Sequence, residues 1–383
     1  VADTTLDVAN LVNSIAQANT ATGKNTLAAG GAVFNIAAAG TINGGDEADF
    51  SSLLTHETNG LVSITNENLT VGSGTDQQIS VANAILLAAT TSGTVTSAID
   101  TTESVDSLKT LFDAGETHAY TITITADAGD ATGSTAAEFN AINSATSVAV
   151  NMNNVTALAA SGLSAVNTLA LAIDAGEFSN GGNLTTVAIS DGTIDATALA
   201  TAIDNLDAIN GGSATDMTLA SGATINVDAN EVTHMLLDET QNRLDITDQK
   251  ITVTNAISAT DAKLLADTTT GVVTATIATT ARVSDLKLLP AEDNAFTIVI
   301  SADDATSSTA TELNTIDAAT TVAVDATNVT GLASDDIDDI LTVLTAGNNV
   351  AKFTATSFSN LTAVAVADTT LDVANLVNSI AQA

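Results

Sequence analysis

Short alternating runs punctuate this chain, and each gives way to a segment of different period. Phe296 opens FTIVIS, Tyr120 opens YTITIT, Val322 opens VAVDAT and Thr185 opens TTVAIS. Thr, Val and Ile alternating at period two predict strands with one apolar face. The segments that follow switch to helical spacing. In SDDIDDILTVL, Ile337, Ile340, Leu341 and Leu344 recur at three and four residues behind Ser334 and paired aspartates. That pattern predicts a short helix with acids in its first turn. In STATELNTI, Ser308 or Thr309 precedes Glu312 at capping-box spacing. Strand-like starts fall near residues 1, 32, 62, 94, 120, 148, 185, 223, 251, 272, 296 and 322, which gives twelve strand–helix coils of about 30 residues.

Two levels of repetition organise these coils. VADTTLDVANLVNSIAQA runs from Val1 to Ala18 and again, unchanged, from Val366 to Ala383, an offset of 365. The chain therefore reads as one period of a tandem array followed by the start of the next. Val1 in place of an initiator Met, and Ala383 inside a helical pattern that Asn19 onward would continue, read as cuts in a longer polymer. An older duplication lies within the period. Val105 to Leu158 matches Val283 to Leu332, and Leu184 to Ala208 matches Leu361 to Ala383, with offsets of 178, 174 and 177 along the way. The expected organisation is a half-repeat of six coils over 1–184, a second over 185–365, and the next repeat beginning at 366–383.

A strand plus a short helix cannot bury its apolar face alone, so each coil must stack on its neighbour. The expected fold is an α/β solenoid with a continuous parallel β-ladder. A helix-poor parallel β-helix and a string of tandem α+β globular domains are the alternatives. Composition favours stacking, because aromatics make up only 2% of a chain that is 45% hydrophobic. Small aliphatic side chains suit thin, regular layers.

Charge narrows the partners. Forty-five acidic residues face 8 basic ones, for a net charge of −37. Nucleic acid and anionic lipid both require Lys and Arg, so neither is an expected partner. An apolar share of this size separates the chain from disordered acidic tails. Such charge density repels itself unless screened, and screening shortens to about 3 Å near 1 M salt. A saline or divalent-rich environment fits. No run of apolar residues is long enough for a membrane span, and without cysteine there is no disulfide framework.

Candidate chemistry is confined to acids. His56, His118 and His234 lie far apart and share no metal-ligand spacing. GxSxG, GxxxxGK[ST] and the dinucleotide-binding glycine pattern are all missing from the sequence, and the expectation is a protein that is not an enzyme. The acidic clusters are GGDEAD, DAGD, ADD and DDIDD. Carboxylates and turn carbonyls suit calcium, although neither EF-hand spacing nor the calcium-binding nonapeptide occurs. Asp46, Glu47 and Asp49 of GGDEAD, with Asp127 and Asp130 of DAGD, are the candidate calcium ligands, since glycine there frees the backbone to wrap an ion. Helix capping and solvated charge account for ADD and DDIDD. Asn-x-Thr occurs at Asn68, Asn154, Asn183, Asn328 and Asn360, where a side chain stacking at a turn explains the positions more simply than glycosylation does.

Phrases such as TATELNTIDAATTVAVDA, in acidic Ala/Thr/Asp-rich units along essentially the whole chain, resemble the repeats of giant bacterial cell-surface proteins of the marine cyanobacterial type. The resemblance implies an exported filament or surface coat, in adhesion or motility, and carries over no catalytic residue. The expected function is a structural repeat of a long extracellular filament, stalk or surface layer. Its partners would be further copies end to end, with laterally packed filaments. The alternative is the repeat region of a calcium-stiffened adhesin that binds a glycan or another surface.

Overall fold

The computed structural model describes residues 4–20, 30–36, 40–72, 78–111, 118–125, 133–179, 181, 184–209, 215–291, 293–370 and 372–382. These divide into two compact units, Val1–Ile189 with Ala202–Thr215, and Ser190–Thr201 with Asp216–Ala383.

The first unit runs β1 (Thr5–Asp7), α1 (Val8–Thr20), β2 (Thr41–Asn43), α2 (Glu47–Thr58), β3 (Asn68–Thr70), α3 (Val81–Thr90), β4 (Val95–Ala98), α4 (Val105–Leu108) and β5 (Ala119–Thr121). Strands β1 to β5 form one sheet in chain order. Every pairing in it is parallel, with Thr5 opposite Thr41, Ile42 opposite Leu69, Leu69 opposite Val95 and Thr96 opposite Ala119. A helix lies in each connection, as parallel pairing demands. The unit continues through α5 (Ala136–Ser144), β6 (Val150–Asn151), β7 (Ala157–Ser161), α6 (Leu163–Asp174), β8 (Phe178–Ser179) and β9 (Thr186–Ile189). Here β6 pairs with β8, and β7 with β9, again in parallel.

In the second unit the order is β10 (Thr193–Asp195), the start of α7 (Ala196–Ile209), β11 (Asp216–Leu219), β12 (Thr224–Val227), α8 (Val232–Thr240), β13 (Leu244–Asp245), β14 (Lys250–Val253), α9 (Ala259–Thr268), β15 (Val273–Thr276), α10 (Val283–Leu286) and β16 (Ala295–Thr297). Strands β10, β12, β14, β15 and β16 form a parallel five-stranded sheet. The unit ends with α11 (Ala310–Ala318), β17 (Gly331–Asp335), α12 (Ile337–Gly347), β18 (Ala363–Val366) and α13 (Val373–Gln382). Strand β11 pairs with β13 and β17 with β18.

The chain is thus α/β, with several parallel sheets alternating with helices, and its regular helices set it apart from a helix-poor β-helix. The alternating runs behave as expected. Tyr120, Ile122 and Ile124 are buried while Thr121 is exposed, and Phe296, Ile298 and Ile300 repeat this in the second unit. Expected starts near 94, 120, 251, 272 and 296 coincide with β4, β5, β14, β15 and β16. Those near 32, 62 and 322 do not. Residues there make isolated bridges, Phe34 with Val62 and Val324 with Phe353, and the strands β2, β3 and β17 begin several residues later. These strands run TIN, NLT and GLASD, too short or too rich in small residues to show a period.

The two units repeat their buried polar contacts as well as their strands. Thr146 Oγ1 accepts from Tyr120 N at 2.9 Å and donates to Tyr120 O at 2.7 Å; Thr320 does the same to Phe296 at 2.9 and 2.8 Å. Each hydroxyl completes the backbone hydrogen bonding of a strand in the neighbouring coil, where an unmet group would cost about 1–3 kcal/mol.

Candidate functional site

Among the described residues, the acids of GGDEAD and DDIDD cluster at helix N-termini. GGDEAD forms the turn into α2. Gly44 and Gly45 have φ of +73° and +71°, and a Cβ on Gly45 would fall 2.3 Å from Val8 Cγ1 and 2.7 Å from Asp49 Oδ2. Glycine is required here by the left-handed backbone and by the approach of α1. Asp46 caps the helix, its Oδ1 accepting from Asp49 N at 3.0 Å, while Asp46 N donates back to Asp49 Oδ2 at 3.3 Å. This is a reciprocal capping box.

Glu47 reaches into the next coil. Its Oε1 accepts from Ser80 N at 2.9 Å, Ser80 Oγ at 2.7 Å and Asn83 Nδ2 at 2.7 Å, and so braces the start of α3. Burial pushes the Glu47 carboxyl up, but the donors from Ser80 and Asn83 outweigh it and hold the group below its ordinary value. Asp46 and Asp49 thus face each other across the capping box, while the Glu47 carboxylate is turned to Ser80 and Asn83, so the three do not converge on one point. Asp127 and Asp130 lie outside the described residues. Among the described residues, no group of three or more His, Cys, Asp or Glu is placed to hold a metal ion.

A pattern that sequence reading missed links the other acids. Val81 N, which opens α3, donates to Glu103 Oε1 at 2.9 Å. Val283 N, which opens α10, donates to Asp304 Oδ2 at 3.0 Å. Thr311 N in α11 donates to Asp335 Oδ2 at 2.7 Å, and Ile337 N in α12 donates to Asp368 Oδ2 at 2.7 Å. Each acid comes from the coil that follows, 21 to 31 residues later. A free helix N-terminus presents unpaired amides and positive partial charge, so an acid on the next coil both satisfies an amide and ties the two coils together. ADD and DDIDD take part: Asp304 and Asp335 brace a preceding helix, and Asp336 caps α12 with its side chain accepting from Asp338 N. The cap of α12 is thus Asp336, with Ser334 inside β17. The capping box at Thr309 and Glu312 is present.

The asparagines of the Asn-x-Thr motifs also bridge coils. Asn154, Asn328 and Asn360 donate through Nδ2 to the carbonyls of Ile124, Ile300 and Thr327, at 3.2, 2.9 and 3.0 Å. Asn68 Oδ1 accepts from Thr94 N at 2.9 Å. Asn183 lies outside the described residues.

The histidines occupy separate coils. His118 is buried, accepts from Val95 N through Nδ1 at 3.1 Å, and lies 5.4 Å from the Tyr120 ring. His56 is half-buried on α2, and burial lowers its pKa. His234, on α8, places Nδ1 3.8 Å from Asp238 Oδ2. The stretches around His56 and His234 match by sequence, yet the structural equivalent of His56 is Asp238. Leu61 N donates to His56 O and Ile64 N to Glu57, just as Arg243 N donates to Asp238 O and Ile246 N to Glu239. Matching on the Thr-His pair slips the alignment by one helical turn. Two open grooves line the coil turns. One, of about 690 Å³ in the second unit, is bordered by Thr247, Thr268, Thr269, Thr270 and Asn294. The other, of about 390 Å³ in the first unit, is bordered by Asn143, Thr146, Ser147 and Glu177.

Compared with known proteins, the chain matches no family model, no curated protein and no solved structure. No helix among the described residues is long and apolar enough to cross a membrane.

Proposed function

We propose that the chain is a structural repeat of a long extracellular or cell-surface filament, stalk or layer. Its coils would stack as an α/β solenoid, and further copies would follow end to end. In this reading the protein acts through length, charge and lateral packing of filaments, and catalysis has no part in it. The observation that carries the reading is the chain-order parallel pairing from coil to coil, reinforced by acids that brace the preceding helix. Both are nearest-neighbour devices, and a fold stabilised by such terms can be extended without limit. The eighteen-residue segment repeated without change at an offset of 365 residues supplies the tandem element. The acidic surface would keep such a polymer soluble and its neighbours apart at low salt.

Cryo-electron microscopy of the native material tests this. Twelve coils stacked at about 4.8 Å predict an axial period of about 58 Å, with a pseudo-repeat near half that. Filaments with that period and a 4.8 Å meridional spacing are the expected result. Beads of longer period without that spacing would refute the solenoid and favour a string of globular adhesin domains.

A further inference from the structure

The repeated eighteen residues appear twice in one structure with opposite faces covered, and together they describe a joint. In the N-terminal copy, α1 packs on α2; Val8 and Ile15 are 0% exposed and Leu11 5%. At the identical positions of α13, Val373 is 73% and Ile380 69% exposed. The other face shows the reverse. Ser379 is 5% exposed beneath its neighbours, whereas the matching Ser14 is exposed. On that side α13 packs on α12; Asn375 Nδ2 donates to Asp338 Oδ1, and Asn348 Nδ2 to Gln382 Oε1.

The helix of each copy starts with the same cap. Asp7 caps α1 through Asn10 N at 2.9 Å, and Asp372 caps α13 through Asn375 N at 3.1 Å. What differs depends on a neighbour. Thr5–Asp7 is a strand because Thr41–Asn43 pairs with it, while Thr370 and Asp372 lie in no strand. An open apolar recess of about 130 Å³, lined by Ile337, Ile340, Leu344, Val364, Val366 and Ile380, lies beside α13. A third equivalent, α7, has further coils on both sides of it in sequence, and its corresponding Ala196, Leu199, Ala202 and Ile203 are all buried.

We infer that the exposed face of α13 is a docking surface for a further copy of the repeat, which joins without a linker. The occupant is the segment of that copy equivalent to Thr41–Thr58. Its first strand runs beside Thr370 and Asp372, its glycine turn closes over Val373 as Gly45 closes over Val8, and its helix covers Leu376 and Ile380. The upstream half of the joint is already in place, since Asp368, from the second copy of the segment, braces the start of α12. The inference rests on the filament reading, and adds where and by which residues successive copies meet.

Hydrogen exchange on the 383-residue chain, and on the same chain lengthened by repeating Asn19–Thr58 after Ala383, tests it. Amides of Leu376–Gln382 are expected to exchange about tenfold or more faster than those of Leu11–Gln17 in the shorter chain, and to slow to match them in the longer one. Val373→Asp is expected to leave the melting of the shorter chain unchanged and to return α13 of the longer chain to fast exchange. Amides of α13 that are already slow in the shorter chain, or that stay fast after lengthening, would overturn the joint. Electron microscopy of the native material separates the two readings. Fast exchange in the lengthened chain, with the axial period present in native material, refutes the joint alone, and protection with that period absent refutes the filament alone.

Discussion

Ile15 and Ile380 occupy the same place in identical sequence, which makes them an internal control for burial. Ile15 is 0% exposed under α2 and Ile380 is 69% exposed on α13. Truncation to Ala removes the same atoms at both sites, and the helix-propensity gain of a few tenths of a kcal/mol for Ala over Ile is common to both. The remaining difference is packing. A buried Ile→Ala change costs about 2–5 kcal/mol, and α1, at one edge of its unit, belongs in the lower part of that range. An exposed change falls within about 0.5 kcal/mol. Because folded chains open locally, the effect is best read helix by helix through amide exchange. Ile15→Ala should speed opening of α1 by roughly 30- to 150-fold, which is about 2–3 kcal/mol at 1.4 kcal/mol per factor of ten. Ile380→Ala should leave α13 unchanged or slightly slower. Equal responses from the two helices would refute the reasoning, because burial would then not be what distinguishes them.

Two further substitutions test the capping turns. Gly45→Ala should destabilise the first unit by about 2–4 kcal/mol in urea melts, combining left-handed strain with overpacking against Val8. Gly176→Ala, at φ +79° with nothing within 4 Å of the new Cβ, should cost only the strain of about 1 kcal/mol, and equal midpoint shifts would show that Val8 does not seat against the turn. Glu47→Gln tests the brace on α3. Because the folded-state pKa of Glu47 is lowered, its contribution is present above its ordinary 4.5 and is lost as pH falls through the lowered value. Wild-type α3 should lose protection on acidification below that point; the Gln variant should start about 1 kcal/mol weaker and show less of this pH dependence, and an unchanged profile would remove Glu47 from the account.

The alternation of strand and helix was legible because it is local. Tyr120, Ile122 and Ile124 fall on one face whatever lies beyond them, and Thr309 with Glu312 closes a capping box within four residues. What escaped reading depends on the next coil. Strands as short as TIN and NLT carry no period of their own, and pair only because another strand lies about 27 residues away. The glycine pair of GGDEAD signals a turn equally well for an ion or for a close approach, and only the position of Val8 decides what it meets here. Glu103, Asp304, Asp335 and Asp368 look like solvated charge in sequence, since the helices they brace lie 21 to 31 residues upstream. The slip between His56 and His234 has the same origin, because the turn after each helix, not the Thr-His pair, sets the register.

These acids also bear on how a chain with so much negative charge can stack at all. Uniformly placed carboxylates would drive the coils apart. Here a recurrent subset points at the amides of the preceding helix, where the positive end of the helix dipole offsets the charge locally. Each such contact couples one coil to the one before it and to nothing further away, so stability accumulates by neighbours. Asp368 makes the contact to α12 that Asp335 makes to α11, although Asp368 lies in the second copy of the eighteen residues and α12 in the period before it. On the tandem-array reading proposed above, the device would run across the repeat boundary without interruption. In the array proposed above, a segment that braces the helix behind it through Asp368, and receives the coil ahead of it on Val373 and Ile380, would have both faces of its helix committed. In this structure Val373 and Ile380 of α13 are exposed, the face that the proposed joint would cover.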